Sequence, residues 1–340
     1  MPDRPIIVST TGMQEVGLQI LRDAGTLRMA SSTNPEVLAR EIADADALVI
    51  RTAGYYDGPL MDCAPRLKVI GRHGVGYDQV DVLAATQRGI QVVYTPGANT
   101  EAVCQHTIAY MIGLSKHFPQ QMRSLVDGRY NDRTKYVGRD LNGRTLGIIG
   151  FGRIGRRVGA VAYQAFGMRV LYADVIAAPA EVESRAGARR VERDELLGEA
   201  EYVTLHVPLD GATRRMIDAA ALAKMRAGAI LVNTCRGPVV DESAVAAALD
   251  SGHLWGYGAD VYDVEPPPVD HPLIGRPDVM LTPHSAAQTI ESLTNMAREV
   301  ATDVVGVLQG RPPINPVNDP AEVATNRARP RSHALHGNEG

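Results

Sequence analysis

The segment from Thr145 to Asp174 constrains the fold of this chain more than any other stretch. An apolar run at 146–149 leads into Gly150-Phe-Gly-Arg-Ile-Gly155, a helical pattern follows, and a second apolar run ends at Asp174. This order of strand, glycine-rich turn, helix, strand and acidic residue is typical of a βαβ unit that binds a dinucleotide. The complete arrangement is far more specific than three glycines at this spacing alone.

Each residue type in this segment has a physical task. Gly150 would make the tight turn, Gly152 would let the backbone approach a pyrophosphate, and Gly155 would let the helix pack closely on the strand. The exposed N–H groups at the start of the helix suit a diphosphate. Asp174 would accept hydrogen bonds from the ribose hydroxyls and repel a 2′-phosphate, and residues 175–177 supply no cation. The pattern therefore predicts NAD rather than NADP.

Bulk composition narrows the class of protein. The chain has 340 residues, of which 45% are hydrophobic and 22% are charged, and its formal net charge is −4. This length favours two domains, and the lack of a basic excess argues against nucleic acid or an anionic membrane as a partner. The sequence has neither an apolar span of about 18 residues nor a charged start that leads into an apolar signal segment. We therefore expect a cytoplasmic protein.

Cysteine and histidine usage predicts free thiols and no metal site. The three cysteines, Cys63, Cys104 and Cys235, are far apart and form no CxxC pair, and the nine histidines are scattered. Free thiols are the ordinary state in a reducing cytoplasm, and metal sites need ligands at closer spacing.

Short β-like runs alternate with helical patterns twice along the chain, which predicts parallel sheets with crossover helices. The first alternation has runs at Ile6–Ser9, Ala47–Ile50, Leu67–Gly71 and Ile90–Tyr94. The second has runs near 146–149, 169–173, 202–207, 229–233, 256–261 and 279–282. Between them, Asn99 is a plausible N-cap of a helix towards His117, and a last helical stretch covers Thr289–Leu308.

Potentially reactive side chains follow nearly every strand of the second alternation. They are Asp174, His206, Cys235 with Arg236, Asp260 with Glu265, and His284. Ligands of open α/β sheets bind beyond the carboxyl ends of the strands, so we expect these side chains to converge on one edge.

An imidazole, a carboxylate and a guanidinium beside a nicotinamide suit hydride transfer to a ketone. The alkoxide that forms needs a proton, and histidine is the side chain that titrates near neutral pH. A carboxylate on the other ring nitrogen would orient the imidazole and favour its charged form. An arginine would hold a planar carboxylate through two hydrogen bonds. These residue types predict an oxidoreductase that acts on a 2-oxo acid.

The chain resembles the D-isomer-specific 2-hydroxyacid dehydrogenases, most closely the 3-phosphoglycerate dehydrogenase branch, over about residues 5–316. Five ordered segments carry the resemblance: GRHGVGYDQVD at Gly71–Asp81, LGIIGFGRIG at Leu146–Gly155, NTCRGPVVDE at Asn233–Glu242, DVYDVEP at Asp260–Pro266 and TPHSAA at Thr282–Ala287.

The resemblance implies a role for individual residues. His284 would be the general acid in reduction and the base in oxidation, Glu265 would be its partner, and Arg236 would bind the substrate carboxylate. The implied cofactor contacts are Gly150, Gly152, Arg153, Ile154, Gly155, Asp174, His206, Val207, Pro208, Thr213, Thr234, Cys235, Asp260 and Ala286, with Asp260 on the nicotinamide carboxamide. The implied substrate contacts are Arg51, His73, Val75, Gly76, Arg236 and His284.

The resemblance also implies an α/β fold of two doubly wound parallel-sheet domains. A flavodoxin-like substrate-binding domain would comprise residues 1–98, completed by 287–317, and a Rossmann NAD-binding domain would comprise 99–286. Such enzymes close their two domains over the substrate, and the 99–117 helix would lie in a homodimer interface. Residues 318–340 would form a mobile C-terminal tail. Because the sequence ends soon after Pro316, we expect no regulatory small-molecule domain.

The sequence leaves the identity of the acid open. 3-Phosphoglycerate is one candidate, and the arginines that could meet its anionic tail, or simply lie at the surface, are Arg51, Arg72 and Arg133. Hydroxypyruvate or glyoxylate would fit as well and would make the chain a hydroxypyruvate/glyoxylate reductase. A sulfonated or sugar-derived 2-oxo acid would also fit. A different class also stays open, namely an NAD-sensing co-repressor or interaction module on the same fold, because such proteins can retain the same three catalytic residue types.

Overall fold

The structure is a computed structural model that describes residues 4–321. Its strands are β1 (Ile6–Ser9), β2 (Thr26–Met29), β3 (Ala47–Ile50), β4 (Val69–Arg72), β5 (Gln91–Val93), β6 (Thr145–Ile149), β7 (Arg169–Ala173), β8 (Ala188–Arg190), β9 (Tyr202–Leu205), β10 (Ala229–Asn233), β11 (Leu254–Ala259) and β12 (Val279–Leu281). Its α-helices are α1 (Glu15–Ala24), α2 (Pro35–Glu41), α3 (Gly58–Asp62), α4 (Val82–Gln87), α5 (Thr100–Ser115), α6 (Phe118–Val126), α7 (Arg153–Phe166), α8 (Ala180–Ala186), α9 (Arg193–Glu199), α10 (Ala219–Lys224), α11 (Glu242–Asp250) and α12 (Ile290–Leu308). None of the described helices combines the length and the apolar character that crossing a membrane would require.

The chain divides into two compact units. Unit 1 combines the residues up to Asn99 with those from Ile290 onward, and unit 2 is Thr100–Thr289. These limits lie close to the predicted domain limits at 98/99 and 286/287.

Unit 1 contains a five-stranded parallel sheet in the order β2-β1-β3-β4-β5. The order of the strands reverses between β1 and β3, which is the flavodoxin-like doubly wound arrangement. Helices α1 and α12 cover one face of this sheet over a core that includes Leu21, Val69 and Val300. Gly71 lies in β4 where a Cβ would be 2.5 Å from Val304 Cγ2, so the glycine permits α12 to pack against the strand.

The segment that follows α12 is anchored to unit 1. The buried Asp303 carboxylate accepts hydrogen bonds from the N–H groups of Ile314 at 2.7 Å and Asn315 at 3.0 Å. Farther on, Asn318 Oδ1 accepts a hydrogen bond from the Val92 N–H of β5 at 2.7 Å. The predicted mobile tail at 318–340 therefore begins with a residue that is held on the sheet, and residues 322–340 lie outside the described part of the chain.

Unit 2 contains a seven-stranded parallel sheet in the order β12-β11-β10-β9-β6-β7-β8. The strand order reverses between β6 and β9, which is the Rossmann arrangement and places the ligand crevice beyond the carboxyl ends of these two strands. One apolar core lies on the face that α5 and α7 cover, and a second lies on the face that α9, α10 and α11 cover. All strands are parallel, so the residues that follow them share one end of the sheet.

Three features of the fold differ from the sequence-based expectation. The strands β2 and β8 were not predicted, and both lie at a sheet edge. The long helix begins at Thr100 and ends at Ser115, where His117 adopts a left-handed conformation (φ +53°) before α6 starts. Most of α5 is buried within unit 2, whereas α6, which the sequence analysis did not single out, exposes apolar side chains.

Candidate cofactor and catalytic site

The turn between β6 and α7 depends on two glycines that no other residue could replace without strain. Gly150 has a φ of +91°, and a Cβ at this position would lie 2.6 Å from the carbonyl oxygen of His206. At Gly155 a Cβ would lie 2.2 Å from the carbonyl oxygen of Gly150, so the first turn of α7 packs directly on the glycine turn. The third glycine behaves differently, because no atom lies within 4 Å of a Cβ built on Gly152.

The open space at Gly152 adjoins the start of α7. Gly152 is the N-cap residue and offers no side chain to the first amides of the helix, which include those of Arg153 and Ile154. The N–H groups in the first turn of a helix have no intrahelical partner and, together with the helix dipole, favour an anion. The glycine cradle therefore fits a dinucleotide diphosphate.

Asp174 follows β7, and its carboxylate binds the glycine turn between β6 and α7. Its Oδ2 accepts a hydrogen bond from the Phe151 N–H at 2.6 Å, and its Oδ1 accepts one from the Ile176 N–H at 3.0 Å. The Arg190 guanidinium at the end of β8 donates to the main-chain carbonyl of Asp174 at 2.8 Å. Asp174, which was predicted to bind the ribose, thus has the guanidinium of Arg190 beside it. The sequence analysis had looked for a cation only at residues 175–177, where there is none.

The segment after β9 presents His206, Val207 and Pro208 at the switch point. Thr213 fixes this segment, because its Oγ1 donates to the Pro208 carbonyl at 2.7 Å and accepts from the Asp210 N–H at 2.8 Å. The His206 Nε2 is buried and has no hydrogen-bond partner among the described residues. Burial lowers the pKa of His206 to about 3, so this ring is a neutral lining group and not a proton donor at neutral pH.

The loop after β10 is organised by Asn233. Its Oδ1 accepts hydrogen bonds from the Cys235 N–H and thiol, each at 3.1 Å, and its Nδ2 donates to the Arg236 carbonyl at 2.9 Å. The Thr234 hydroxyl contacts the Thr107 hydroxyl at 3.0 Å. Burial raises the pKa of Cys235 to about 11, so its thiol stays protonated and is not a nucleophile.

Glu265 and His284 form the pair that the sequence analysis predicted. The two residues follow β11 and β12, and Glu265 Oε2 lies 2.7 Å from His284 Nδ1. Burial raises the pKa of Glu265, but the hydrogen bond and charge of His284 outweigh it, helped by Arg236, so the pKa of this carboxyl is lowered. The ring nitrogen Nε2 of His284 remains to exchange a proton with a ligand.

His284 stands in a strained backbone conformation that its surroundings impose. Its φ is +51°, in the left-handed region that non-glycine residues seldom adopt, and its N–H donates to the Asp260 carbonyl at 2.8 Å. The Asp260 carboxylate is 1% exposed and accepts hydrogen bonds from the Ser285 N–H at 2.7 Å and the Ala286 N–H at 2.8 Å. Asp260 therefore holds the histidine and the two residues that follow it, a role that the sequence analysis did not foresee.

The predicted substrate contacts in unit 1 lie after β3 and β4. Among the described residues, the N–H groups of Val75 and Gly76 donate no hydrogen bond. The buried Arg72 supports this loop, since its Nε donates to the Gly76 carbonyl at 2.6 Å. Burial, together with the charges of Arg51 and Arg72, lowers the pKa of His73 to about 4, so the buried His73 ring is neutral.

Comparison with known proteins gives this geometry a family. Residues 108–286 match the family model described as D-isomer specific 2-hydroxyacid dehydrogenase, NAD binding domain. The chain belongs to this family. The residues that match this NAD-binding domain lie within unit 2, which carries the glycine turn and the Glu265–His284 pair.

Relatives within the D-2-hydroxyacid dehydrogenase family differ in their named activity. A D-3-phosphoglycerate dehydrogenase from Archaeoglobus fulgidus is 38% identical over 91% of this chain and 57% of its own length. A glyoxylate reductase from Korarchaeum cryptofilum is 36% identical over 93% of this chain and 96% of its own length. This chain thus spans somewhat more than half of that phosphoglycerate dehydrogenase.

A solved structure of a D-lactate dehydrogenase from Aquifex aeolicus, in complex with NAD and lactic acid, superposes with a TM-score of 0.82. It is 29% identical, and the match covers 90% of this chain and 96% of that chain. The two-unit α/β fold is therefore the fold of the family.

Four residues whose side chains support this site were given no role in the sequence analysis. They are His106, Arg190, Asn233 and Thr282, which act through side-chain contacts. Asn233 and Thr282 lie inside motifs that carry the family resemblance, and this position could have identified them. His106 and Arg190 gave no such signal, because their partners are distant in the chain. Within residues 4–321, no group of three or more His, Cys, Asp or Glu side chains is placed to hold a metal ion.

Proposed function

We propose that this chain is an NAD-dependent D-2-hydroxyacid dehydrogenase, which reversibly interconverts a small 2-hydroxy acid and its 2-oxo acid. The observation that carries the proposal is the 2.7 Å contact between Glu265 and His284 at the same end of the sheet as the glycine turn. A carboxylate that holds one ring nitrogen leaves the other nitrogen as an oriented acid or base.

The chain's own residues supply the proton and the orientation. When NADH is bound, it supplies the hydride that adds to C2 of the 2-oxo acid. His284 donates the proton on Nε2 to the carbonyl oxygen, and Glu265 stabilises the imidazolium before this transfer. Arg236 binds the substrate carboxylate and keeps the carbonyl in place. In oxidation the same nitrogen of His284 accepts the proton from the hydroxyl group.

The cradle of unit 2 supports NAD as the cofactor. The amides of Arg153 and Ile154 would bind the diphosphate, and Asp174 would accept hydrogen bonds from the ribose hydroxyls. The further cofactor contacts that we propose are those of the sequence analysis, from His206 to Ala286. Asp260 is one of them, although its carboxylate already binds the Ser285 and Ala286 amides.

The substrate class is a small 2-oxo acid, for which 3-phosphohydroxypyruvate and glyoxylate are the leading alternatives. In unit 1, the N–H groups of Val75 and Gly76 would bind a carboxylate, and Arg51 and His73 would contact the remainder of the substrate. We propose unit 1 as the substrate-binding domain on this ground. Burial lowers the pKa of Arg51, which makes an anionic ligand group a favourable partner for its guanidinium.

We also propose a homodimer and a cytoplasmic location. Helix α6 exposes apolar side chains on one face, and these are Phe118, Met122, Leu125 and Val126. Contiguous exposed apolar surface of this kind marks interaction sites, so a second copy of this chain would cover α6 rather than the buried α5. The three cysteines are free thiols, which suits a reducing compartment.

The proposed activity is tested by NADH oxidation with 3-phosphohydroxypyruvate, hydroxypyruvate, glyoxylate and pyruvate. We expect turnover with at least one acid, and His284→Ala should lower kcat by about 10²- to 10⁴-fold while NADH still binds. Preference for the phosphorylated acid would assign Arg51 to a phosphate. Tight NADH binding without turnover on any of the acids would contradict the proposal and favour an NAD-sensing module.

A further inference from the structure

A partly buried cluster of hydrogen-bonded side chains in unit 2 adjoins the segment that carries His284. His106 and Tyr110 stand one turn apart on α5, and both contact the hydroxyl of Thr282, the residue that follows β12. The His106 Nε2 lies 2.9 Å from Thr282 Oγ1, and the same hydroxyl contacts Asp260 Oδ1. The two rings on α5 pack edge to face at 4.6 Å.

Counting protons fixes the direction of these hydrogen bonds. An ionised carboxylate can only accept, so the single proton of the Thr282 hydroxyl points to Asp260. The Thr282 oxygen can then only accept, so its hydrogen bond with His106 requires a proton on Nε2 of that ring. The single proton of Tyr110 has two acceptors within reach, this oxygen and the Ala259 carbonyl at 3.0 Å. Burial lowers the pKa of His106, against the opposing charge of Asp260, so the ring is neutral and its Nδ1 carries no proton.

The cluster ends at the segment that presents His284. The Asp260 carboxylate accepts hydrogen bonds from the Thr282 hydroxyl and from the N–H groups of Ser285 and Ala286. The main-chain carbonyl of Asp260 accepts a hydrogen bond from the N–H of His284. The Thr282 carbonyl in turn accepts from the Tyr262 hydroxyl at 2.9 Å. A residue with a φ of +51° persists only where the surroundings over-determine its conformation, and these hydrogen bonds supply that constraint.

We propose that His106 is a positioning residue for the reaction, because its Nε2–H directs the Thr282 hydroxyl to Asp260 and so fixes the backbone that aims His284 at the substrate. The proposal deepens the proposed dehydrogenase function and rests on it. Among the described residues His106 makes no hydrogen bond to Glu265 or His284, so its contribution lies in the geometry of the acid.

The kinetic test compares His106→Leu, which removes the donor, with His106→Gln, whose amide can place a donor near the position of Nε2. We expect kcat of His106→Leu to fall roughly 10- to 100-fold, the scale of a small misplacement of a catalytic group. The Kd for NADH should stay within about two-fold, and His106→Gln should regain most of the loss. His253→Leu is the matched control, because the hydrogen bond of His253 Nε2 within residues 4–321 goes to a main-chain carbonyl, that of Leu222 at 2.9 Å. A wild-type kcat in His106→Leu, or an equal loss of kcat in His106→Leu and His106→Gln, would overturn the proposal.

A second measurement needs no turnover and therefore separates this inference from the proposed function. In ¹⁵N-labelled protein, the His106 ring should show a protonated Nε2 and a bare Nδ1, with the signal assigned by its loss in His106→Gln. The downfield Nδ1 proton that His284 shares with Glu265 should persist in His106→Gln and broaden or vanish in His106→Leu. The opposite tautomer of His106, or an unchanged His284 proton in His106→Leu, would refute the positioning role even in a protein without activity.

A second pair of variants keeps the test decisive if His106→Leu does not fold. Thr282→Val removes the hydroxyl at nearly constant volume, and Thr282→Ser keeps it. We expect Thr282→Val to lower kcat and to lose the His284 proton signal, and we expect Thr282→Ser to keep both. Identical behaviour of the valine and serine variants would show that the hydroxyl does not position His284.

Discussion

Glu265 and His284 share a hydrogen bond whose electrostatic part can be measured through the pH dependence of the rate. In reduction His284 must carry a proton, and the negative charge of Glu265 favours the imidazolium. Replacing the carboxylate by an amide in Glu265→Gln removes that charge and keeps a hydrogen-bond acceptor. We therefore expect Glu265→Gln to lower kcat/KM for reduction throughout the pH range in which the wild-type Glu265 is ionised.

The pH range of this loss in rate distinguishes the effect of the Glu265 charge from a loss of structure. The lowered pKa of Glu265 keeps the carboxylate ionised down to a lower pH than usual, so wild-type protein should retain the pair in mildly acidic buffer. Steady-state rates from pH 5 to 9 in the reducing direction give the profile. The loss should shrink at the acid end of the profile, where a protonated Glu265 is as uncharged as the glutamine. A loss of the same size at every pH would mean that Glu265 acts through its geometry and not through its charge.

We expect Asp174 and Arg190 together to set the preference between NAD and NADP. Asp174→Ser should weaken NADH binding, because the ribose loses a charged acceptor, and should strengthen NADPH binding, because the Arg190 guanidinium then meets a 2′-phosphate. Fluorescence titrations with both cofactors measure the two Kd values. The double variant Asp174→Ser/Arg190→Ala is the control and should lose the gain for NADPH. An unchanged preference in Asp174→Ser would show that another group reads the ribose.

The catalytic residues that the sequence predicted share one property, which is their position in a loop that follows an apolar strand. Arg236, Glu265 and His284 all stand in such places, and parallel strands bring their carboxyl ends together. The sequence did not predict His106 and Arg190, because their roles arise from contacts that only the folded chain creates. The partners His106 and Thr282 are 176 residues apart, and no local pattern records such a distance.

At the scale of single elements, the glycine turn offers a pair of substitutions with opposite expectations. In Gly155→Ala the new Cβ would meet the Gly150 carbonyl oxygen at 2.2 Å, so the turn or α7 must shift. We expect this variant to lose stability, by about 1–3 kcal/mol as for other overpacked sites. In Gly152→Ala the Cβ meets no protein atom within 4 Å, and the midpoint of thermal unfolding should change little.

Cofactor binding separates the two glycines further. The Cβ of Gly152→Ala occupies the space that we assign to the diphosphate, so the Kd for NADH should rise by ten-fold or more, the equivalent of about 1.4 kcal/mol. Differential scanning fluorimetry without and with NADH measures stability and binding in one experiment. Equal NADH affinity in Gly152→Ala and wild-type protein would place the diphosphate elsewhere.

Most of the strands were predictable, and the two exceptions share a cause. The predicted strands carry apolar runs because helices cover both faces of a parallel sheet. The strands β2, with the sequence TLRM, and β8, with ARR, stand at sheet edges and are mostly exposed, so burial imposes no apolar run on them. Helix α6 escaped notice for the converse reason, since its apolar residues face outward and not into a core.

At the scale of the whole molecule, the order of the sequence does not give the division into units. Helix α12 follows all strands of unit 2 in the chain, yet it packs on α1 and β4 of unit 1. Amphipathic periodicity predicts a buried face for α12 without naming its partner. The resemblance to a family supplied that partner, and the contact between Val304 and the space left by Gly71 gives its physical basis.

The proposed homodimer makes the last prediction, and two leucines test it under matched conditions. Leu125 on α6 is 67% exposed and Leu83 on α4 of unit 1 is 68% exposed, so glutamate at either position adds one charge at the surface of an isolated chain. If a second copy covers α6, Leu125→Glu buries an unpaired carboxylate in that interface, which costs several kcal/mol or prevents association. Sedimentation velocity should then show a dimer for wild-type protein and Leu83→Glu and a monomer for Leu125→Glu. A dimer in all three proteins would place the subunit interface away from α6, and a monomeric wild-type protein would refute the homodimer itself.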